Sequence, residues 1–458
     1  MVLGCTSGAG KSLLVTALAR WFARRGVDVV PYKAQNMSNN ARVVDGGEIG
    51  VAQWLQARAA RVEPSVDMNP VLLKPEADTR SQVVVAGKVR HDLTATPWRE
   101  RGPHLWPFME ASLHRLLGEH ELVLIEGAGS PAEINLPDLV NNRVVEAADA
   151  AALLAADIDR GGAFAHIYGT WSLVPETTRR RLAGYVLNRF RGDASLLAPG
   201  PEQLTAMTSL PLVGVVPMID HQLPDEEGGS IRDVGPADGL RVAIVRFPFG
   251  SNFDEFHLLP TAARVSWAST PVDLDGVDLV ILPGSKHVAA DIDWLRRRGM
   301  ADRIVSLAAA GTRVLGVCGG AMMLGERIED ARGIEGSAQG LGLLPLSTAM
   351  VPEKVTAAVT LRTRGLTGPW SPLNGMDLRG YEIRHGRVTG ETCQVGPALW
   401  GRGSVLATTV HGLFEDPSAV QALTGVKPAP VLETTFELLA DVVEEHLDTG
   451  LLESLTGL

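Results

Sequence analysis

Three cysteines in 458 residues are few. Cys5, Cys318 and Cys393 lie far apart, so neither a zinc-ligand spacing nor a disulfide framework follows from them, and a reducing, cytoplasmic compartment is expected. Positive charge is also scarce: 42 Lys and Arg against 53 Asp and Glu leave a net charge of −11. That balance argues against non-specific nucleic-acid binding and suits an enzyme acting on small molecules. No apolar run approaches the length of a membrane span. No basic stretch followed by an apolar one opens the chain, so no secretory leader is read. Internal repeats and low-complexity tracts are absent too. What the chain does have is 45% apolar residues spread over a length too great for one core, so two or three domains are expected.

The strongest local signal is Met1-Val-Leu-Gly-Cys-Thr-Ser-Gly-Ala-Gly-Lys-Ser12. A short apolar run leads into a Gly-rich turn and then into a Leu- and Ala-rich helical stretch, the strand–loop–helix context of a phosphate-binding loop. Only three residues precede Gly4, so the strand is short or begins upstream. Thr6, Ser7, Gly8, Ala9, Gly10, Lys11 and Ser12 are the candidate nucleotide contacts. Backbone N–H groups cradle phosphate, Lys11 reaches the outer phosphates and the Ser12 hydroxyl can ligate Mg²⁺. Five residues separate Gly4 from Gly10, one more than in the common loop. This longer form resembles the dethiobiotin-synthetase group of P-loop enzymes, which phosphorylate a substrate carboxylate or carbamate.

Strands alternating with helices predict a parallel sheet, with ligands beyond the carboxyl ends of its strands. Lys33, after the strand 27–32, is placed to meet phosphate or a substrate carboxylate. Asp45, in a Gly-rich turn, and Glu126, at the tip of the apolar run 122–125, are candidate Mg²⁺ ligands. Asn188, at the end of 182–187, is a candidate for reading a nucleotide base edge. Residues 1–222 form this P-loop domain, and 223–239 read as a linker from their Gly, Pro and acidic content. A second α/β rhythm then occupies 240–440, leaving a tail at 441–458.

The second domain carries Gly316-Val-Cys-Gly-Gly320 at a strand-to-helix turn, a nucleophile elbow with Cys318 in place of serine. The Gly319 N–H, with one from Gly284 or Ser285 in Leu282-Pro-Gly-Ser-Lys286, is a candidate oxyanion donor. His411 lies downstream in the order a Cys–His pair requires, with His287 and His385 as rivals.

These segments together resemble the cobyric acid synthase family of glutamine-dependent amidotransferases, nearly end to end. The resemblance rests on Gly-Ala-Gly-Lys-Ser12, Lys33-Ala-Gln-Asn-Met-Ser-Asn-Asn40, Asp45-Gly-Gly-Glu-Ile-Gly50, Asp67-Met-Asn-Pro-Val-Leu-Leu-Lys-Pro75 and Ser81-Gln-Val-Val-Val. It continues in Glu126-Gly-Ala-Gly-Ser130, Ala155-Ala-Asp-Ile-Asp-Arg-Gly-Gly162, Leu282-Pro-Gly-Ser-Lys286, Val317-Cys-Gly-Gly320, Gly380-Tyr-Glu-Ile383 and Val410-His-Gly412. It implies a dethiobiotin-synthetase-like domain followed by a class I glutamine amidotransferase domain, with ATP and Mg²⁺ as cofactors. The implied reaction converts the b, d, e and g side-chain carboxylates of adenosylcobyrinic acid a,c-diamide to amides. Each passes through an acyl phosphate captured by ammonia from glutamine. Lys11, Lys33, Cys318 and His411 are then catalytic, and Gln35, Asn36, Asp157 and Asp159 face the corrinoid. The chain departs from the family pattern at Gly8, where Asp is usual, and at Arg384, where His is usual. No Glu stands two residues after His411. Glu415 is four on, and the resemblance implies a Cys–His pair without it. Another carboxylate amidotransferase, or a P-loop switch with a vestigial glutaminase, are the competing readings. The residues leave the order of amidations and the oligomeric state open.

Overall fold

The computed structural model describes residues 1–77, 80–135, 138–221, 223–224, 235–236 and 238–457. The expected linker, 223–239, lies largely outside the described residues. The chain forms two compact units: Met1–Ser38, Glu48–Gln222 and Leu432–Leu458 make the first, and Asn39–Gly47 with Leu223–Val431 the second.

In the first unit, strands Val2–Gly4, Ala152–Asp157, Leu182–Phe190 and Leu212–Pro217 run parallel in that order. Val29–Tyr32 pairs in parallel with Leu122–Ile125. A bridge from Val2 to Glu126 and a bond from the Gly127 N–H to the Val2 carbonyl, 2.9 Å, join the two groups. The strands read as near-continuous apolar runs because helices cover both faces. A smaller sheet is built from Gln35–Met37, Val71–Ala77, Arg80–Val85 and Lys88–Val89.

The long helix Val431–His446 near the C-terminus differs from the expected layout, since nearly all of it belongs to the first unit. Its acidic face meets the basic end of helix Lys11–Arg24. Arg20, almost fully buried, pairs with Glu433 and Glu437 and lies over the Phe436 ring. The Trp21 indole donates to Glu444 at 2.5 Å. Composition did not reveal this pairing because its partners are more than 400 positions apart in sequence.

The second unit has a seven-stranded sheet. Ala263–Ala268, Leu240–Val245, Leu279–Leu282, Arg313–Val317 and Val405–Thr408 are parallel in that order, and Leu399–Arg402 and Gln394–Gly396 complete the edge antiparallel. A long antiparallel hairpin, Ser347–Thr363 with Met376–Thr389, forms a separate sheet with two short strands. Among the described residues no helix is long and apolar enough to cross a membrane.

Candidate active sites

In the first unit, Lys11 and Ser12 open helix Lys11–Arg24 directly after the glycine loop. Gly10 stands at φ 85°, and a Cβ there would lie 2.0 Å from the Asn188 amide nitrogen. Only glycine tolerates both the backbone and the contact. Lys11 is buried and donates to the carbonyls of Gly129, 3.0 Å, and Thr6, 3.4 Å. Ser7 and Gly8 stand exposed at the crest, while Ala9 is buried beneath it. Burial pushes the Cys5 thiol in this loop up to about 11, so it stays neutral.

Glu126 ends the strand Leu122–Ile125 and is 1% exposed. Its Oε1 accepts from Ser12 Oγ at 2.8 Å and pairs with Lys33 Nζ at 2.7 Å. Its Oε2 accepts from Gln56 Nε2 at 2.5 Å. Burial works against the charge of this carboxylate, but the Lys33 ammonium and the bonds from Gln56 and Ser12 outweigh it and hold it below its ordinary value. Asn36 joins the cluster from behind by donating to Gln53 at 3.0 Å, and Gln53 in turn approaches Glu126 at 3.5 Å. Gln35 is half-exposed beside it on the same short strand. Gln53 and Gln56 were not foreseen. They sit on helix Val51–Ala60, where glutamine normally reads as a solvated residue.

The donor set fits a hard divalent cation. Ser12 and Glu126 offer a hydroxyl and a carboxylate side by side, and the buried Gln56 Oε1 has no hydrogen-bond partner. Mg²⁺ is commonly held by one or two protein oxygens together with phosphate oxygens. The remaining expected ligand, Asp45, stands exposed in a turn at φ 49° and belongs to the second unit.

Asn188 also takes a different place from the expected one. Fully buried, it donates to the Ala9 carbonyl at 2.9 Å, and its Oδ1 accepts from the Arg189 N–H at 2.9 Å. Both ends of the amide are spent inside the protein, so it buttresses the loop instead of facing a base. Asp157, buried at the end of Ala152–Asp157, pairs with Arg189 at 3.0 Å and Arg160 at 3.5 Å. Asp159 pairs with Arg191 at 3.2 Å. These three arginines were missed because arginine in a polar loop carries no positional signal of its own.

In the second unit, Cys318 follows Arg313–Val317 with φ 50° and ψ −105°. A non-glycine residue held there is strained, and such strain clusters at reactive positions. The turn is possible because its neighbours are small. A Cβ on Gly320 would lie 1.9 Å from the Leu282 carbonyl oxygen. Of the three candidate histidines, His411 interacts with Cys318. His287 caps helix Val288–Arg297, and His385 contacts the Val351 carbonyl. His411 is 1% exposed, and its Nδ1 lies 2.8 Å from Glu255 Oε1. The other oxygen of Glu255 accepts from the Gly412 N–H at 3.1 Å. Burial opposes charge on this imidazole, but Glu255 and Cys318 together raise it to about 10. Glu255 is thus a buried acid bonded to His411 that the sequence did not single out. It lies in Asn252-Phe-Asp-Glu255, past the end of Leu240–Val245, more than 150 positions from its partner, and no motif announced it. Glu415 does not contact His411 in this role.

Gly284 sits against the imidazole, since a Cβ there would come within 2.9 Å of His411 Cε1. A Cβ on Gly319 would lie 2.7 Å from the Ser285 nitrogen, so the backbone after Cys318 and the backbone after Leu282 meet beside the sulfur. The Gly319 N–H opens a helix and has no intrahelical acceptor. A cavity beside the sulfur is lined by Ser285, Lys286, Cys318, Glu335, Ile383 and Arg384, among others. Charges of both signs on its wall suit a zwitterionic ligand.

Comparison with known proteins finds two family models along the chain. Residues 1–227 match the CobQ/CobB/MinD/ParA nucleotide binding domain, and residues 241–419 match the CobB/CobQ-like glutamine amidotransferase domain. The cobyric acid synthase of Variovorax paradoxus (strain S110) is 52% identical over 99% of this chain and 98% of its own. That of Paracidovorax citrulli (strain AAC00-1) is 51% identical over 98% and 96%, and that of Polaromonas sp. (strain JS666 / ATCC BAA-500) 48% identical over 99% and 97%. With identity at this level held across almost the whole length, the chain belongs to the cobyric acid synthase family of ATP-dependent glutamine amidotransferases, enzymes of cobalamin biosynthesis.

Proposed function

We propose that the chain amidates the b, d, e and g side-chain carboxylates of adenosylcobyrinic acid a,c-diamide in the cytoplasm, giving adenosylcobyric acid. Cys318 Sγ attacks the side-chain amide carbon of glutamine seated in the cavity between Lys286, Glu335 and Arg384. N–H groups at Gly284 and Gly319 stabilise the oxyanion. His411, protonated and held by Glu255, gives its proton to the departing ammonia and then takes one from the water that hydrolyses the thioester.

In the first unit Thr6, Ser7, Gly8, Ala9, Gly10, Lys11 and Ser12 receive the triphosphate of ATP, with Asn188 holding the loop's shape. A carboxylate is a poor electrophile, and transfer of the γ-phosphoryl group gives it a leaving group. Lys11 and Lys33 offset the negative charge of that transfer. Ser12 and Glu126 would hold Mg²⁺, which when bound supplies further charge neutralisation at the phosphates. Gln35, Asn36, Asp157 and Asp159 line the side we assign to the corrinoid.

The observation that carries this reading is the strained Cys318 set beside an imidazole whose Nδ1 lies 2.8 Å from the buried Glu255 carboxylate. A test is mass spectrometry of the a,c-diamide incubated with ATP, Mg²⁺ and glutamine. Four successive carboxyl-to-amide conversions are expected. An unchanged corrinoid, with ATP spent on another carboxylate, would refute the assignment.

A further inference from the structure

Residues Asn39–Gly47 belong to the second compact unit, although Ser38 before them and Glu48 after them belong to the first. They also fall within the residues that match the nucleotide-binding domain in sequence. Within the second unit they grip the turn that carries Glu255. The Asn252 N–H donates to Asn40 Oδ1 at 2.7 Å, and the Asn252 side chain donates to the Ala41 carbonyl at 2.8 Å and the Tyr381 hydroxyl at 2.9 Å. Arg42, 3% exposed, pairs through its two terminal nitrogens with Asp254, the neighbour of Glu255, and with Glu415. Its guanidinium carbon lies 5.2 Å from the centre of the Tyr381 ring. That ring stacks on His411, with centroids 5.2 Å apart and planes 17° from parallel.

Both supports of the imidazole thus lead back to one arginine. Asp254 and the Asn252 turn set where Glu255 stands, and Tyr381 sets the plane of the ring. A planar guanidinium holds two carboxylates in a fixed geometry through its rigid fork of donors, whereas a flexible ammonium can contact both but fixes neither direction.

We propose that Arg42 is a positioning residue of the glutaminase, fixing Glu255 and Tyr381 against His411. Glutamine hydrolysis then depends on a segment encoded inside the nucleotide-binding region, a dependence that rests on the glutaminase reading above. Arg42 does not line the cavity beside Cys318, so its effect falls on turnover and not on glutamine binding.

The test compares full-length Arg42→Met, Arg42→Lys, Glu255→Gln and the Arg42→Met/Glu255→Gln double variant. Glutamate release from glutamine and ammonia-driven amidation are measured on the same preparations. Arg42→Met is expected to lower glutaminase kcat by about 10²-fold, the order of a 1 Å misplacement, with glutamine KM within about threefold. Arg42→Lys should recover part of the loss. The double variant should be no slower than Glu255→Gln alone, because both act on one element. Additive losses, a KM rise matching the kcat fall, or unchanged kcat would overturn the proposal. Simultaneous loss of ammonia-driven amidation would also overturn it, by assigning Arg42 to folding in general. A Cys318→Ala control that still hydrolyses glutamine would instead defeat the glutaminase reading itself.

Discussion

Replacing Glu255 by Gln isolates the charge that keeps His411 protonated. The side chain keeps its shape, but its amide meets two donors, His411 Nδ1 and the Gly412 N–H, and can accept from only one of them. Raising His411 from 6.5 to about 10 corresponds, at about 1.4 kcal/mol per pH unit, to roughly 5 kcal/mol in favour of the imidazolium. Coulomb attraction across 2.8 Å at an effective dielectric constant of about 20 is of similar size, roughly 6 kcal/mol before burial is subtracted. Without Glu255 that attraction is gone while burial remains, so His411 should fall by several pH units. The imidazolium that protonates ammonia is then missing at neutral pH. We expect glutaminase turnover at pH 8 to drop by about 10²- to 10³-fold, since each pH unit by which the imidazole falls below the assay pH costs about tenfold in the protonated form. The alkaline limb of kcat/KM should move from near pH 10 to about pH 7 or below. Stability follows the same linkage. Because the folded value is raised, the wild-type pair stabilises the fold fully below about pH 6.5 and loses that contribution as pH rises towards 10. The variant should show a flatter profile over this range in thermal melts. Glutamate release assayed from pH 6 to 10 decides the matter. An unmoved alkaline limb with less than about tenfold loss would show that Glu255 does not set the charge of His411.

Cys318→Ala should abolish glutamine-driven amidation while leaving ammonia-driven amidation intact, and loss of both would contradict a separate glutaminase centre. Lys11→Ala should stop amidation with either nitrogen donor; turnover within about tenfold of wild type would remove the loop from the mechanism. Glu126→Gln should raise the Mg²⁺ concentration needed for half-maximal rate, and an unchanged metal titration would make Glu126 purely structural. Gly284→Ala would push a methyl to 2.9 Å from His411 Cε1. It should lower glutaminase turnover by about tenfold or more, and wild-type glutamate release would show that the imidazole can yield.

Each half of the site became legible to the extent that its chemistry is local in sequence. The glycine loop, Lys11, Ser12 and the cysteine elbow are short stretches whose backbone demands glycine or a reactive side chain at fixed offsets. Glu126 was legible because a carboxylate at the tip of an apolar strand is out of keeping with its surroundings. Asp45 read as a ligand because a Gly-flanked acid looks like one, and the chain alone does not say to which unit a nine-residue excursion belongs. Asn188 read as a base contact because the strand end was right, yet its amide turns inward to the loop.

By itself, the order of residues pointed to two α/β units, a glycine loop opening a helix, a cysteine at a strand-to-helix elbow and a histidine downstream of it. These depend on hydrophobic periodicity and local backbone geometry, both written within a few residues. Only the tertiary structure decided that Glu255 bonds to His411, that Gln56 and Lys33 converge on Glu126, that Arg42 pairs with Asp254 and Glu415, and that the last long helix closes on Arg20. Each of these is an electrostatic or hydrogen-bonded contact across long stretches of chain. Such contacts become favourable once folding has removed water from between the partners, and no spacing rule along the sequence encodes that.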